Sequence, residues 1–165
     1  MATMNLLGNV GWTAIGAAAI GTVLLIALGA LSTELGSWYY GLKQPPWKPA
    51  DFWFGPVWTT IFTLSAWAGL RAWGAAPEGS ARHGVLAAFV LNGVLNVAWS
   101  VIFFKLQRPD WALIEVVPLW LSIVLLMVVC ARHDSLAPWL LLPYLLWVGF
   151  AAWLNLAVVR LNAPF

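Results

Sequence analysis

Five long apolar runs dominate the chain, near residues 10–31, 52–73, 84–104, 111–131 and 139–160, and the charged residues, most prolines and the turn-forming glycines gather between them. Each run is 21 or 22 residues long, and a helix rising 1.5 Å per residue crosses a hydrocarbon core of about 30 Å with about 20 residues. Inside lipid every backbone polar group must be paired within the protein, so a spanning segment is either a helix or one strand of a closed barrel. Barrel strands alternate apolar and polar positions, whereas these runs are apolar on all sides. The pattern therefore predicts an all-α fold, a five-transmembrane-helix bundle, with residues 1–165 forming a single multi-pass membrane domain.

The connections refine that picture. Gly74 to Arg82, Lys105 to Asp110 and Arg132 to Pro138 are short, which sets successive helices antiparallel. The first connection, residues 32–51, is far longer and carries Trp38, Tyr39, Tyr40 and Trp47 among Pro45, Pro46 and Pro49. Loops of that length in compact domains are commonly functional. Aromatics need a surface to cover and prolines stiffen the path, so this segment is expected to lie as an ordered cover on the bundle. The leader Met1–Asn9 has no Lys or Arg, and the run after it exceeds a signal peptide's apolar region of roughly 7–15 residues, so the first run is expected to stay as a membrane helix. Lys43, Lys48, Lys105, Arg108 and Arg160 fall at the end that holds the long loop, against Arg71, Arg82 and Arg132 at the other. The positive-inside rule then turns the N-terminus away from the cytoplasm.

Composition agrees with lipid as the solvent: 62% of the 165 residues are hydrophobic and 8% charged, where a soluble domain carries about a quarter charged. The net charge of +2 comes from scattered residues that make no basic stripe, which argues against nucleic acid as a partner. A single cysteine, Cys130, excludes an internal disulfide and is read as inert packing. No nucleophile–base pair, metal cluster or phosphate loop is visible, so composition alone gives no support for catalysis.

Thirteen tryptophans change the question. Trp12, Trp53, Trp73, Trp111 and Trp139 fall near the ends of runs, where indoles belong at the headgroup level. Trp58, Trp99 and Trp147 lie deeper, and an indole N–H in hydrocarbon needs a partner. The third run places Asn92, Asn96, Trp99, Ser100 and Phe103 at spacings of three and four, one helical stripe. The fifth does the same with Tyr144, Trp147, Ala151, Leu154 and Asn155, and the second, less cleanly, with Phe54, Trp58, Phe62 and Ser65. The amides serve either hydrogen bonding between helices or ligand contact, and Ala151 permits either close helix packing or a passing ligand. Glu115 is an intramembrane carboxyl, a functional residue by default, unless it snorkels to a membrane face. His83 and His133, both expected in loops on one side, read as surface residues more readily than as haem ligands.

Five blocks of residues resemble the tryptophan-rich sensory proteins, also called translocator proteins or peripheral benzodiazepine receptors. They are Trp38-Tyr39-x-x-Leu42-x-x-Pro45-Pro46-Trp47-x-Pro49, Gly55-Pro56-x-Trp58, Leu95-Asn96-x-x-Trp99-Ser100-x-x-Phe103-Phe104, Ala112-Leu113-Ile114-Glu115, and Pro143-Tyr144-x-x-Trp147-x-x-Phe150-Ala151-x-x-Leu154-Asn155. They follow the family's order and spacing across nearly the whole chain. The resemblance implies a five-helix bundle, usually a homodimer, binding porphyrins and synthetic isoquinoline or benzodiazepine ligands in a pocket that the first loop closes. It places Tyr39, Trp58, Asn96, Trp99, Trp147 and Ala151 at the pocket. Trp47, Asn92 and Tyr144 complete the candidate ligand-binding set, with no metal and no cofactor, porphyrin entering as ligand. The implied function is a porphyrin-binding sensor or regulator of tetrapyrrole metabolism. The alternatives are light-dependent porphyrin breakdown using Trp58, Trp99 and Trp147, transport of porphyrin or lipid, and a partner-binding protein whose pocket is incidental. Three departures stand out. Gln44 replaces a lysine common before the loop prolines, Asn92 stands where glutamine is common, and Leu154 to Arg160 lacks the tyrosine of the animal members' sterol motif.

Overall fold

The structure, a computed structural model, describes residues 10–165; the leader Met1–Asn9 lies outside the described residues. Helix α1 runs Trp12–Ser32, and a short helix α2, Ser37–Gly41, stands in the long loop. A 3-10 turn at Asp51–Trp53 leads into α3, Phe54–Ala75. Helix α4 covers Ser80–Ser100 and continues as a π-helical turn, Val101–Lys105; α5 is Pro109–Ala131 and α6 is Ala137–Asn162. There is no strand among the described residues.

The five long helices form a ring in the order α1, α3, α6, α5, α4 and back to α1. Four of them, α1, α4 with its π turn, α5 and α6, are long and apolar enough to cross a membrane. The expected second span exists as α3, a helix of 22 residues, but its composition is different. Thr59, Thr60, Thr63, Ser65 and Arg71 dilute its apolar side chains. The three threonines answer their own polarity, each hydroxyl donating to the carbonyl four residues earlier, Gly55, Pro56 and Thr59, at 2.8 to 3.0 Å.

Helix ends depart from the apolar runs by a few residues, for a physical reason. Hydropathy marks where lipid begins, whereas a helix continues until its backbone hydrogen bonds stop. Thus α4 begins at Ser80, four residues before the predicted 84, and carries Arg82 and His83 in its first turns. His83 is helical, not in a loop, and exposed; His133 is in the α5–α6 connection, as expected. Likewise α6 runs on through Arg160 to Asn162. Gly79 makes the tight α3–α4 turn at φ +92°, a left-handed conformation that suits a residue without Cβ. Pro109 opens α5, where its missing N–H costs nothing. Asp134 opens α6 by accepting the backbone N–H groups of Leu136 and Ala137 at 3.0 and 2.8 Å.

The interior is zoned along the bundle axis. Away from the long loop, Ala68, Ala72, Ala88, Cys130 and Ala137 pack with Val85, Leu126 and Leu141. Small side chains let helices approach closely, the packing mode available inside lipid, and Cys130 is fully buried among them. At mid-depth lies a polar chain, and toward the loop the interior becomes aromatic. Helix α1 is the loose member of the ring: of its residues only Ser32 is buried.

Candidate functional site

Asn96 and Asn92 are one turn apart on α4 and both are 5% exposed. Asn96 Nδ2 donates to the Tyr144 hydroxyl at 3.0 Å, which donates in turn to Asn92 Oδ1 at 3.1 Å. Asn92 Nδ2 donates to Ser122 Oγ at 2.8 Å, and Ser122 donates to the Leu119 carbonyl at 2.7 Å. One directional chain thus joins α4, α6 and α5 at mid-depth. Of the two readings open for the amides, bonding between helices is realised, with Tyr144 as its hub. Asn155 makes a second tie. With its amide oriented to pair donors with acceptors, it donates to Pro109 O and accepts from Leu113 N, both at 3.0 Å, pinning α6 to the first turn of α5.

The deep indoles sit on the loop side of this chain. Trp58, Trp99 and Trp147, from α3, α4 and α6, pack in one cluster with Tyr144, Phe62 and Val148. Trp58 stacks on Phe62 at 5.2 Å and meets Tyr144 edge-on at 6.0 Å. Trp99 stacks on Phe103 at 5.2 Å. Trp147 contacts Phe54 at 5.6 Å and Phe150 at 5.5 Å. The π-helical turn has a role here: its wider winding, with Leu106 N–H reaching Val101 O at 2.9 Å, sets Phe103 and Phe104 beneath the loop. π-Turns inside helices often mark functional positions.

The long loop is folded onto this end. Tyr39 is buried, its ring 5.7 Å from Phe104 and its hydroxyl donating to Asp51 at 3.0 Å. Lys48 pairs with the same carboxylate and lies over the rings of Tyr39 and Phe54 at 5.5 and 5.9 Å. Burial, followed by the negative charge of Asp51, pushes the Tyr39 phenol well above its ordinary range. A two-way clasp closes the loop on α6: Lys43 N–H donates to Asn162 Oδ1 at 2.8 Å, and Asn162 Nδ2 donates to Lys43 O at 2.9 Å. Trp47 lies elsewhere. It is exposed, stacked on the still more exposed Trp153 at 4.3 Å, and reaches the aromatic cluster only through Phe150 at 5.9 Å. Ala151 is half-buried on α6, one turn beyond Trp147.

Unpaired buried polar atoms mark where this end is chemically unfinished. Trp99 Nε1, Gln44 Nε2 and both carboxyl oxygens of Glu115 are buried without a hydrogen-bond partner. All three residues belong to the loop-side half, two offering donors and one offering acceptors. Glu115 and Gln44 were not among the candidate contacts. The intramembrane carboxyl was the available signal for the first, while nothing in the sequence marked the second as buried. Among the described residues no three His, Cys, Asp or Glu side chains gather as a metal-binding group.

Two cavities adjoin these zones. One, of about 580 Å³, runs along the flank between α1, α3 and α4, from Trp73 and Val85 at the far end to Leu28, Phe62 and Val97 toward the loop, and reaches Asn92 and Tyr144. The other, of about 540 Å³, is an open groove on the outer faces of α3 and α6 that touches Trp147 and Phe150. Tyr39, Trp47, Trp58, Asn96, Trp99 and Ala151 line neither.

The model of the TspO/MBR family matches residues 5–161. The chain is 39% identical over 127 residues to the tryptophan-rich protein TspO of Chlorobaculum tepidum, covering 76% of this chain and 80% of that protein. It is 35% identical over 136 residues to the protein CrtK of Rhodobacter capsulatus, covering 82% and 84%. It is also 32% identical over 154 residues to the translocator protein of Sus scrofa, covering 87% and 89%.

Proposed function

This chain belongs to the TspO/MBR family, and from that premise we propose that it is a membrane receptor whose loop-side interior binds porphyrins and similar flat hydrophobic ligands, reporting on tetrapyrrole metabolism or stress. It is an integral membrane protein with several spans. In this reading α3 is a fifth span, its threonine hydroxyls satisfied along its own backbone, and two copies associate as a homodimer.

The observation that carries the reading is the coincidence of aromatic faces and orphaned polar atoms at one end of the bundle. Trp58, Trp99 and Trp147 converge there from three helices, and a flat macrocycle is held by such rings through stacking. The same half of the bundle holds two buried donors, Trp99 Nε1 itself and Gln44 Nε2, and the Glu115 carboxyl, all without partners, and each such group costs free energy until it is met. A macrocycle with carboxylate edges and pyrrole N–H groups offers acceptors and donors of the matching kinds. Asp51, Lys48 and the Asn162 clasp hold the loop as the lid over this end.

Titrating protoporphyrin into the purified protein tests the reading. Saturable quenching of tryptophan fluorescence, reduced when Trp58, Trp99 or Trp147 is replaced by phenylalanine, is expected. Quenching no greater than that given by detergent micelles alone would reject it. The same three indoles, packed around buried Tyr144, favour one further reading, light- and oxygen-dependent oxidation of the bound porphyrin. Under irradiation the wild type would then form a new pigment that a Trp147→Phe variant does not. Equal bleaching in both and in free porphyrin would dismiss it.

A further inference from the structure

The cations at the loop end of the bundle are Lys43, Lys48, Lys105, Arg108 and Arg160, and none of them is left as a buried charge for a ligand. Lys48 pairs with Asp51, Lys105 with Glu34 and Arg108 with Asp110, while Lys43 and Arg160 are exposed. Lys48 is the one that lies over aromatic rings of this end, those of Tyr39 and Phe54, and Asp51 already neutralises it.

The buried groups without partners there are of another kind. Trp99 Nε1 and Gln44 Nε2 are uncharged donors, and Glu115 brings its carboxyl oxygens. The loop also sorts two neighbouring side chains by charge. Lys43 is clasped to Asn162 through its backbone N–H and carbonyl, and is exposed. The next residue, Gln44, has its amide nitrogen buried, and Pro45 after it is buried too. The lid thus offers the interior a neutral amide and leaves the adjacent cation outside.

Taking an ionised carboxylate out of water is costly unless a cation meets it. Uncharged donors can satisfy an oxygen's lone pairs but return no net charge, and an ionised Glu115 adds repulsion of like sign. An ester or ketone carbonyl accepts the same hydrogen bonds and carries no charge to desolvate. Preference between two ligands is the difference between their binding free energies, and here the desolvation cost falls on the acid alone. Building on the receptor reading above, we infer that the loop-side site selects uncharged flat ligands, whose edge oxygens are ester, amide or ketone carbonyls in place of ionised carboxylates, and that Gln44 is the residue that sets this preference.

Parallel quenching titrations of the purified full chain with protoporphyrin and with its dimethyl ester test this. The readout is the ratio of the two dissociation constants, each referred to the same porphyrin in protein-free micelles so that partition cancels. Wild type is expected to bind the ester at least as tightly as the acid. Gln44→Lys sets a cation at the buried position and is expected to move the ratio about tenfold toward the acid. Gln44→Leu removes the donor without adding charge, and is expected to weaken both ligands about fivefold, the worth of one hydrogen bond, with the ratio unchanged. Should Gln44→Lys fail to fold, Asp51→Asn, which releases Lys48 from its carboxylate, is expected to shift the ratio in the same direction. Tighter binding of the acid by wild type, or a ratio that neither Gln44→Lys nor Asp51→Asn moves, would overturn the inference and leave the receptor reading standing. Saturable quenching by neither porphyrin would instead end the receptor reading, and this inference with it.

Discussion

Tyr144→Phe removes a single oxygen from the hub of the mid-depth chain. Two hydrogen bonds vanish, the one accepted from Asn96 at 3.0 Å and the one donated to Asn92 at 3.1 Å. The ring remains, with its packing against Trp58 and Phe62, so no cavity term enters. Interhelical hydrogen bonds in membrane proteins average about 0.6 kcal/mol with a ceiling near 1.7, which sets the loss at about 1.2 kcal/mol if both bonds are ordinary. Leaving two buried amide groups unpaired raises it toward about 2 kcal/mol. Asn92 and Asn96, four residues apart, can partly offset this by turning toward each other. Reversible unfolding in mixed micelles, with Asn96→Ala and the double variant completing a cycle, measures the coupling directly. A coupling of about 0.6–1.7 kcal/mol is expected. Coupling indistinguishable from zero, with Tyr144→Phe as stable as wild type, would refute the view that this chain ties α4 to α6.

Three further outcomes follow from other parts of the structure. Trp99→Phe deletes an indole N–H that has no partner but also shrinks the ring stacked on Phe103, so unfolding free energy should fall by only about 1 kcal/mol while protoporphyrin affinity, read by titration, falls. Asn162→Ala opens the clasp on Lys43, and amide hydrogen exchange across residues 42–48 should accelerate with little change elsewhere. Asp134 holds Arg71 through two bonds at 3.0 and 2.8 Å while capping α6. Burial pushes its carboxyl up, but the Arg71 hydrogen bond and the Ala137 and Leu136 N–H groups outweigh that and hold it below the usual range. Its stabilisation is therefore complete above the unfolded carboxyl pKa of about 3.9 and is lost as pH falls through the lower folded value. Asp134→Asn should cost about 1–3 kcal/mol near neutrality and flatten the acid limb of a stability-versus-pH curve.

Apolar run length located the long helices to within a few residues, because burial in lipid and helical hydrogen bonding demand the same segments. It failed at Ser80–His83 and at Asn162, where helices outlast the hydrocarbon. Hydropathy also could not show that α3 handles its threonines along its own backbone. Stripe spacing placed Asn92, Asn96 and Tyr144 inside the bundle and Trp99 and Trp147 half-buried beside them, since spacing by three and four reports a shared face. It could not tell an amide bonded to a neighbouring helix from one held for a ligand, because that choice depends on where Tyr144 and Ser122 arrive from other helices. Trp47 illustrates the converse. Its place in a proline-rich motif gave no sign that its ring would stack outward on Trp153. The cavity beside α1 was also illegible, since a run of alanines and glycines reads equally as close packing or as space.

A structure with protoporphyrin bound decides whether the loop-side indoles hold the ligand. The macrocycle is expected beneath the loop, in contact with Trp58, Trp99 and Trp147, with Trp99 Nε1 and the Glu115 carboxyl newly paired. A macrocycle resting on the outer, lipid-facing surface, with those indoles still packed against Phe62, Phe103 and Phe150, would contradict it.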